Sequence, residues 1–239
     1  VSEKDMKDVC DILGSNPGPE LRVVGNPRYD LVMNEATEFR KNDVEKLKDR
    51  DMRVIIGSVH KEEEDFLIPT LVQLMNAYPE LKILYALHEP TDFALKDTKK
   101  KFHDYGIVGA VFRKKTDLKL PTNPLVILGV VGVLSRLYWQ GQIAYVGGGH
   151  STGVHNVMEP AVARLPVIFG PRYHNSHEAE ELINNNGGFC VKDEQEFLST
   201  IKNLISDSKY HKMTSLSASD VVYKNAGSTR EMVQQIFCD

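Results

Sequence analysis

The sequence has little that would tie it together covalently. It holds three cysteines, Cys10, Cys190 and Cys238, far apart and odd in number. That is neither a disulfide framework nor the close spacing of a cysteine metal site, and it points to a reducing compartment. Long apolar runs are also missing. The longest, Pro124 to Leu134, falls well short of the roughly 18–20 residues a membrane helix needs. There is no excess of positive charge: 29 Lys and Arg face 33 Asp and Glu, for a net charge of −4. A chain so balanced has no electrostatic footprint for nucleic acid. No internal repeat, low-complexity linker, signal peptide or metal-ligand cluster is visible. The chain opens on Val1 rather than Met, as a piece of a longer protein would.

What is present is strand–helix alternation. Strands are expected at Leu21–Val24, Arg53–Gly57, Lys82–Ala86, Val108–Phe112, Leu125–Leu128, Ile143–Val146, Pro166–Phe169 and Phe189–Val191. Several are apolar on both faces, as strands of a buried parallel sheet are. Three helical stripes lie between them: Leu67, Leu71, Leu74, Met75 and Tyr78; then Val154, Val157, Met158, Ala161 and Val162; then Phe197, Leu198, Ile201, Leu204 and Ile205. Pro69 must sit in the first turn or at a kink of its helix. Asp193 with Glu196 opens the third as a capping box. The end of the chain reads as two helices broken near Asn225-Ala226-Gly227. This alternation predicts a doubly wound, Rossmann-like α/β sheet. Such sheets bind ligands beyond the carboxyl ends of their strands.

The residues just past each strand are therefore the candidates. "GSVHKEEED" follows the strand at Arg53; Ser58 there is either a plain N-cap or part of an anion site. His60 is not explained by capping. His88 follows the next strand, where a solvated turn histidine is the favoured reading for the residue taken alone. Arg113 opens a run of three cations that could face a carboxylate or phosphate, or only water. "YVGGGHSTGVHNVMEP" follows Ala144–Val146. Gly147, Gly148 and Gly149 let backbone approach a ligand closely, and a helix expected to begin near His155 would point its N-terminus at the same space. Glu159, inside that helix, could accept both hydroxyls of a ribose. Asn175 with Glu178 three later reads as a capping box, and Gly187-Gly188 as the left-handed close of that helix.

Together these residues resemble the donor half of Kdo transferases, glycosyltransferases that add 3-deoxy-D-manno-octulosonic acid to lipid A. The resemblance rests on Gly148-Gly149, Gly153-Val154-His155-Asn156, Met158-Glu159-Pro160, Gly170-Pro171 and Asn175-Ser176-His177-Glu178. Upstream, "VVGNPRYD", Ser58-Val59-His60 with Glu63-Glu64, His88 and Arg113 fit the same pattern, and "NAGSTREM" fits its close. Gly129 to Leu134, Leu87 and Glu62 depart from it.

The resemblance implies the C-terminal half of a two-domain GT-B enzyme. Residues 1–20 would join it to an N-terminal acceptor domain, and residues 21–239 would bind the donor. It implies transfer of Kdo from CMP-Kdo to a lipid A precursor at the cytoplasmic face of a bacterial inner membrane. No cofactor or metal is implied, and the catalytic base and membrane contact fall in the other half. Gly148, Gly149, His155 and Asn156 would surround the phosphate, and Glu159 would hold the ribose. Ser58, His88 and Arg113 would face the Kdo sugar and its carboxylate, His60 would belong to the donor site, and Asn175 and Glu178 would shape the nucleotide pocket. A GT-B transferase for a uridine or guanosine sugar, or a non-catalytic nucleotide-binding module, are the alternatives.

Overall fold

The computed structural model describes residues 2–14, 20–40 and 50–237. Seven strands form one all-parallel sheet: β1 Arg53–Val59, β2 Lys82–Leu87, β3 Gly109–Phe112, β4 Leu125–Leu128, β5 Ile143–Val146, β6 Val167–Phe169 and β7 Gly188–Cys190. Their order across the sheet is β3-β4-β2-β1-β5-β6-β7. Val54 pairs with Ile83 of β2 on one side and Ile143 of β5 on the other. Every residue of β4, β5 and β6 is buried, which is why these strands are apolar without alternation.

The helices are α1 Glu3–Leu13, α2 Pro27–Arg40, α3 Glu64–Ala77, α4 Asp92–Asp104, α5 Leu134–Leu137, α6 Met158–Val162, α7 His177–Asn184, α8 Glu194–Ser206, α9 Ser208–Asn225 and α10 Ser228–Phe237. Val54, Ile56, Ile83 and Tyr145 face one core with Leu67, Leu71 and Leu74 of α3 and Phe197, Ile201 and Leu204 of α8. Ile55, Leu84, Val126 and Ala144 point the other way, onto Leu137, Tyr138 and Leu165. Val146, Val167 and Phe169 bury a further cluster with Tyr29, Met158, Leu182 and Val222. Among the described residues, no helix is long and apolar enough to cross a membrane.

The doubly wound sheet expected from the sequence is present, with local corrections. Leu21–Val24 is extended but pairs with no strand. It runs between α1 and α10, beside Met6, Val9, Met232 and Ile236, where no sheet edge is available. Pro69 lies in the second turn of α3. The left-handed residue after α7 is Asn186, with φ 59°, rather than either glycine. The residue range 1–20 contains a helix of its own, α1, opened by a Ser2–Asp5 capping box; residues 15–19 and Cys238 lie outside the described residues. Asp193 does cap α8, and Asn225–Gly227 does separate the last two helices.

Strands laid down after β1 fill one side of it until β4; β5 then starts the other side. The sheet's direction of growth thus reverses between β1 and β5, which is where open α/β sheets form their ligand crevice.

Candidate functional site

At the carboxyl end of β1 the pairing with β2 slips between Ile56 and Val59, a bulge. Ser58 sits there at φ 54°, a conformation costly for a residue with a side chain. A Cβ on Gly147 would lie 2.3 Å from the Ser58 carbonyl oxygen, so the ends of β1 and β5 can touch only because position 147 has no side chain. Ser58 therefore does not cap a helix. The chain turns at His60 into a single 3₁₀ turn, Lys61–Glu63, and then into α3.

Glu63 is the hub of the crevice. Its carboxylate is fully buried. It accepts hydrogen bonds from the backbone N–H of His60 (3.0 Å), the backbone N–H of Gly148 (2.9 and 3.1 Å to its two oxygens) and the Tyr145 hydroxyl (2.8 Å). A buried carboxylate is tolerable when N–H and O–H donors surround it in this way. Burial and the adjacent Glu63 charge push the Tyr145 phenol far above its ordinary range. In the sequence Glu63 stands out only within the Ser58-Val59-His60…Glu63-Glu64 motif; its own signal is the His-x-x-Glu spacing of a capping box.

Three histidines from three neighbouring strand ends meet above this hub. His60 follows β1, His88 follows β2 and His155 lies in the loop after β5. The His88 N–H donates to the Val59 carbonyl at 2.9 Å and the His155 N–H to the Gly147 carbonyl at 3.2 Å. Ring centroids are 4.5 Å apart for His60–His88 and His88–His155 and 5.0 Å for His60–His155, with planes within 19° of parallel. The Nε2 atoms of His60 and His155 are 2.7 Å apart. Only one of those two nitrogens can carry a proton, so one presents a lone pair. Burial, then the neighbouring His88 and His60, hold the His155 pKa below the usual histidine range, against the pull of Glu63. Burial likewise lowers that of the adjacent His150.

A cleft of about 420 Å³ opens beside His60 and His88. Lys61, Thr91 and Phe93 line it, with Glu62, Glu89 and Asp97 on its walls.

The remaining candidates are not gathered here. The helix expected at His155 begins only at Met158 and has five residues; Asn156 explains the delay. Its Oδ1 accepts the Met158 N–H and its Nδ2 donates to Glu159, both at 3.0 Å. Glu159 faces a narrow gap against α2, near Glu35, Arg136 and Trp139, and its pKa is raised by burial despite the Asn156 hydrogen bond. Gly148 has φ 90°, but its N–H is taken by Glu63 rather than offered to a ligand. Gly149 is pressed against Gly170, 2.5 Å from where its Cβ would be. Asn175 is not a cap: its Nδ2 donates to the Val154 carbonyl at 3.1 Å. The cap of α7 is Ser176, which bonds the Ala179 N–H. Glu178, 3% exposed, accepts from Ser176, Asn26 and Arg28, fastening the segment before α2 to α7. Arg113 lies at the end of edge strand β3, exposed, and pairs with Asp92 at 2.6 Å. So His60, His88, His155 and the glycine loop form one site. Asn156 with Glu159, Asn175, Glu178 and Arg113 form separate local arrangements.

No family model matches the chain. Among curated proteins it is similar to the 3-deoxy-D-manno-octulosonic acid transferase of Aquifex aeolicus, 28% identical over 158 residues, covering 65% of this chain and 42% of that protein. The transferase of the same name from Haemophilus influenzae is 26% identical over 226 residues, 91% of this chain and 51% of that protein. The chain thus spans about half the length of the curated relatives it matches. Among solved structures, the C-terminal CMP-Kdo binding domain of WaaA from Acinetobacter baumannii superposes with a TM-score of 0.63 at 21% identity. That match covers 80% of this chain and 98% of that domain. UDP-GlcNAc 2-epimerase from Neisseria meningitidis, bound to UDP-GlcNAc, gives 0.65 at 14% identity over 99% of this chain and 59% of that one. These structures share the Rossmann-like fold. The resemblance to Kdo transferases read from the sequence is borne out by relatives along most of the chain.

Proposed function

We propose that this chain, similar over most of its length to 3-deoxy-D-manno-octulosonic acid transferases, is the donor-binding half of a glycosyltransferase that takes Kdo from CMP-Kdo. In this reading residues 1–20 join it to an acceptor domain. That domain supplies the base, the lipid A precursor and the contact with the cytoplasmic face of the inner membrane. The observation that carries the reading is the match to transferases of one name over up to 92% of the chain.

The crevice suits the donor's chemistry. CMP-Kdo carries a phosphodiester and a sugar carboxylate, and breaking the bond to the sugar leaves further charge on phosphate. Fixed N–H donors aimed at that charge lower the barrier without reorganising. His60, His88 and His155 are the donors nearest the switch point, and Lys61 adds a positive charge at the rim. Glu63 keeps the glycine loop in place so that the three rings hold their spacing. Glu159 would take the ribose hydroxyls if the gap against α2 widens with donor bound.

Isothermal titration of the chain with CMP, UMP, UDP, GDP and CMP-Kdo tests this. Cytidine ligands should bind most tightly; preference for UDP would overturn the reading in favour of a uridine-sugar enzyme. Glu159→Gln should weaken CMP binding roughly ten- to hundredfold, the equivalent of losing one charge-assisted hydrogen bond of about 1.5–3 kcal/mol. Unchanged affinity with a lowered melting temperature would make Glu159 a purely structural residue. The chain alone, incubated with CMP-Kdo and a lipid A precursor, should yield no product by mass spectrometry.

A further inference from the structure

We infer that the β3 edge of the molecule docks onto an anionic lipid bilayer, through cations and exposed apolar side chains of α4, β3 and the loop after β3. The chain as a whole is negative, but its charge is unevenly spread. Residues 92–119 hold eight Lys and Arg against four Asp, whereas the rest of the chain holds 21 Lys and Arg against 29 Asp and Glu. Three of the four aspartates are matched locally: Asp92 with Arg113, Asp117 with Lys114, and Asp97 with Lys101, which also meets Glu64 of α3. Among the described residues, no carboxylate forms an ion pair with Lys99, Lys100, Lys115 or Lys119, and all four are exposed. Their charge is therefore directed outward.

The fold gathers these residues on one surface. Asp92, Lys96, Lys99 and His103 fall at i, i+4, i+7 and i+11, a single stripe of α4. Thr98 and Lys101 turn the other way, onto Glu64 of α3, at 2.7 Å each. Asp92 meets Arg113 just past β3 at 2.6 Å, so the stripe faces the edge of the sheet, and Arg113, Lys114 and Lys115 continue it. β3 is the outermost strand on this side. A Cβ on Gly129 would touch Arg113, Val111 and Leu95 at 3.0–3.2 Å; loop, strand and helix thus meet there. Phe93, Tyr105, Val108 and Val111 are exposed in the same stretch. That mixture selects the partner. Cations alone suit any polyanion, and the phosphates of nucleic acid gain nothing from Phe93 or Val108. A bilayer uses both: anionic headgroups attract Lys and Arg, and the acyl boundary beneath takes aromatic and branched side chains. Phe93 also lines the cleft beside His60 and His88, so a bilayer at this edge stands next to the mouth of the crevice. This contact adds to the one assigned to the acceptor domain and does not depend on which donor is bound.

The test is co-sedimentation of the full chain with phosphatidylcholine vesicles, with and without phosphatidylglycerol. No nucleotide is present, so the outcome is independent of the donor reading. The chain should bind the phosphatidylglycerol vesicles and not the neutral ones, and binding should weaken as salt rises. Lys99→Ala with Lys100→Ala should weaken it about twentyfold, each lysine near an anionic surface contributing a factor of roughly five. Phe93→Ser should weaken it as well while keeping the salt dependence. Lys209→Ala with Lys212→Ala, on exposed lysines of α9, should leave it unchanged. All these side chains are exposed, so the variants keep their fold. Absence of vesicle binding overturns the inference and leaves the cations as protection of a bare sheet edge. Binding to double-stranded DNA but not to vesicles overturns it too, as does vesicle binding indifferent to the Lys99 and Lys100 changes.

Discussion

Glu63 and Glu178 are the same device used in two places. Each is a buried carboxylate near the start of a helical segment, at 0% and 3% exposure, and each is surrounded by donors from distant parts of the chain. Glu63 reaches Tyr145 and Gly148 across the sheet's switch point. Glu178 reaches Asn26 and Arg28 in the segment leading into α2. One builds the crevice; the other fastens a connecting segment. The chemistry of the residue does not tell the two apart. What tells them apart is which strand end lies opposite, and that is a property of sheet order.

The sharpest break in the comparison is to remove each carboxylate. Glu63→Leu strands three donors in the interior, at roughly 1–3 kcal/mol for each that stays unpaired. For a chain of this size the melting temperature should fall by about 10 °C or more, and ligand binding should be lost with the glycine loop. Glu178→Gln keeps one acceptor oxygen and should cost only about 1–2 kcal/mol. Its effect should appear as faster hydrogen exchange in residues 20–30, with nucleotide affinity unchanged. If Glu178→Gln abolishes binding while the fold survives, the separation drawn between the two regions is wrong.

Acid should act next. Burial depresses the pKa values of His150, His155 and His211, the last of which meets the Gln142 carbonyl at 2.7 Å. A depressed histidine stays neutral in the fold while its unfolded counterpart takes up a proton. Stability is therefore complete above the ordinary histidine value of about 6.5 and falls as pH drops below it. Thermal melts from pH 7.5 to 5 should show a monotonic loss, and a flat profile would contradict it. The smallest effect belongs to Arg113→Ala. An exposed pair with Asp92 contributes little, so neither melting nor nucleotide binding should change measurably. A clear loss of affinity would return Arg113 to the site.

The strands were legible because burial on both faces leaves runs such as Leu125-Val126-Ile127-Leu128 with no other reading. Leu21–Val24 misled because apolar content predicts extension, whereas strandhood needs a free edge. The site was legible as a set of strand ends, and His60, His88, His155 and the glycines do lie there. Its internal wiring was not. Asn156 reads as a ligand group until its amide is seen holding Met158 and Glu159. Glu63 reads as first-turn charge until Tyr145 and Gly148 are found across from it. The histidine trio carries no spacing signal, because its members are joined only by the β2-β1-β5 adjacency.

That adjacency also sets an order of assembly. β1 finds β2 soon after it in the chain, but its other neighbour, β5, comes only at Ile143, after β2, β3 and β4 have been made. A nascent chain that has emerged only through β4 therefore carries β1 as a bare sheet edge, apolar on both faces, with its site half absent. Such an edge invites pairing with other chains, and closing it requires a slow, long-range contact. The seam that houses the histidines thus stays open until β5 is made, with β6 and β7 joining only after it, and the bare β1 edge is exposed to misassembly just before the protein acquires its site.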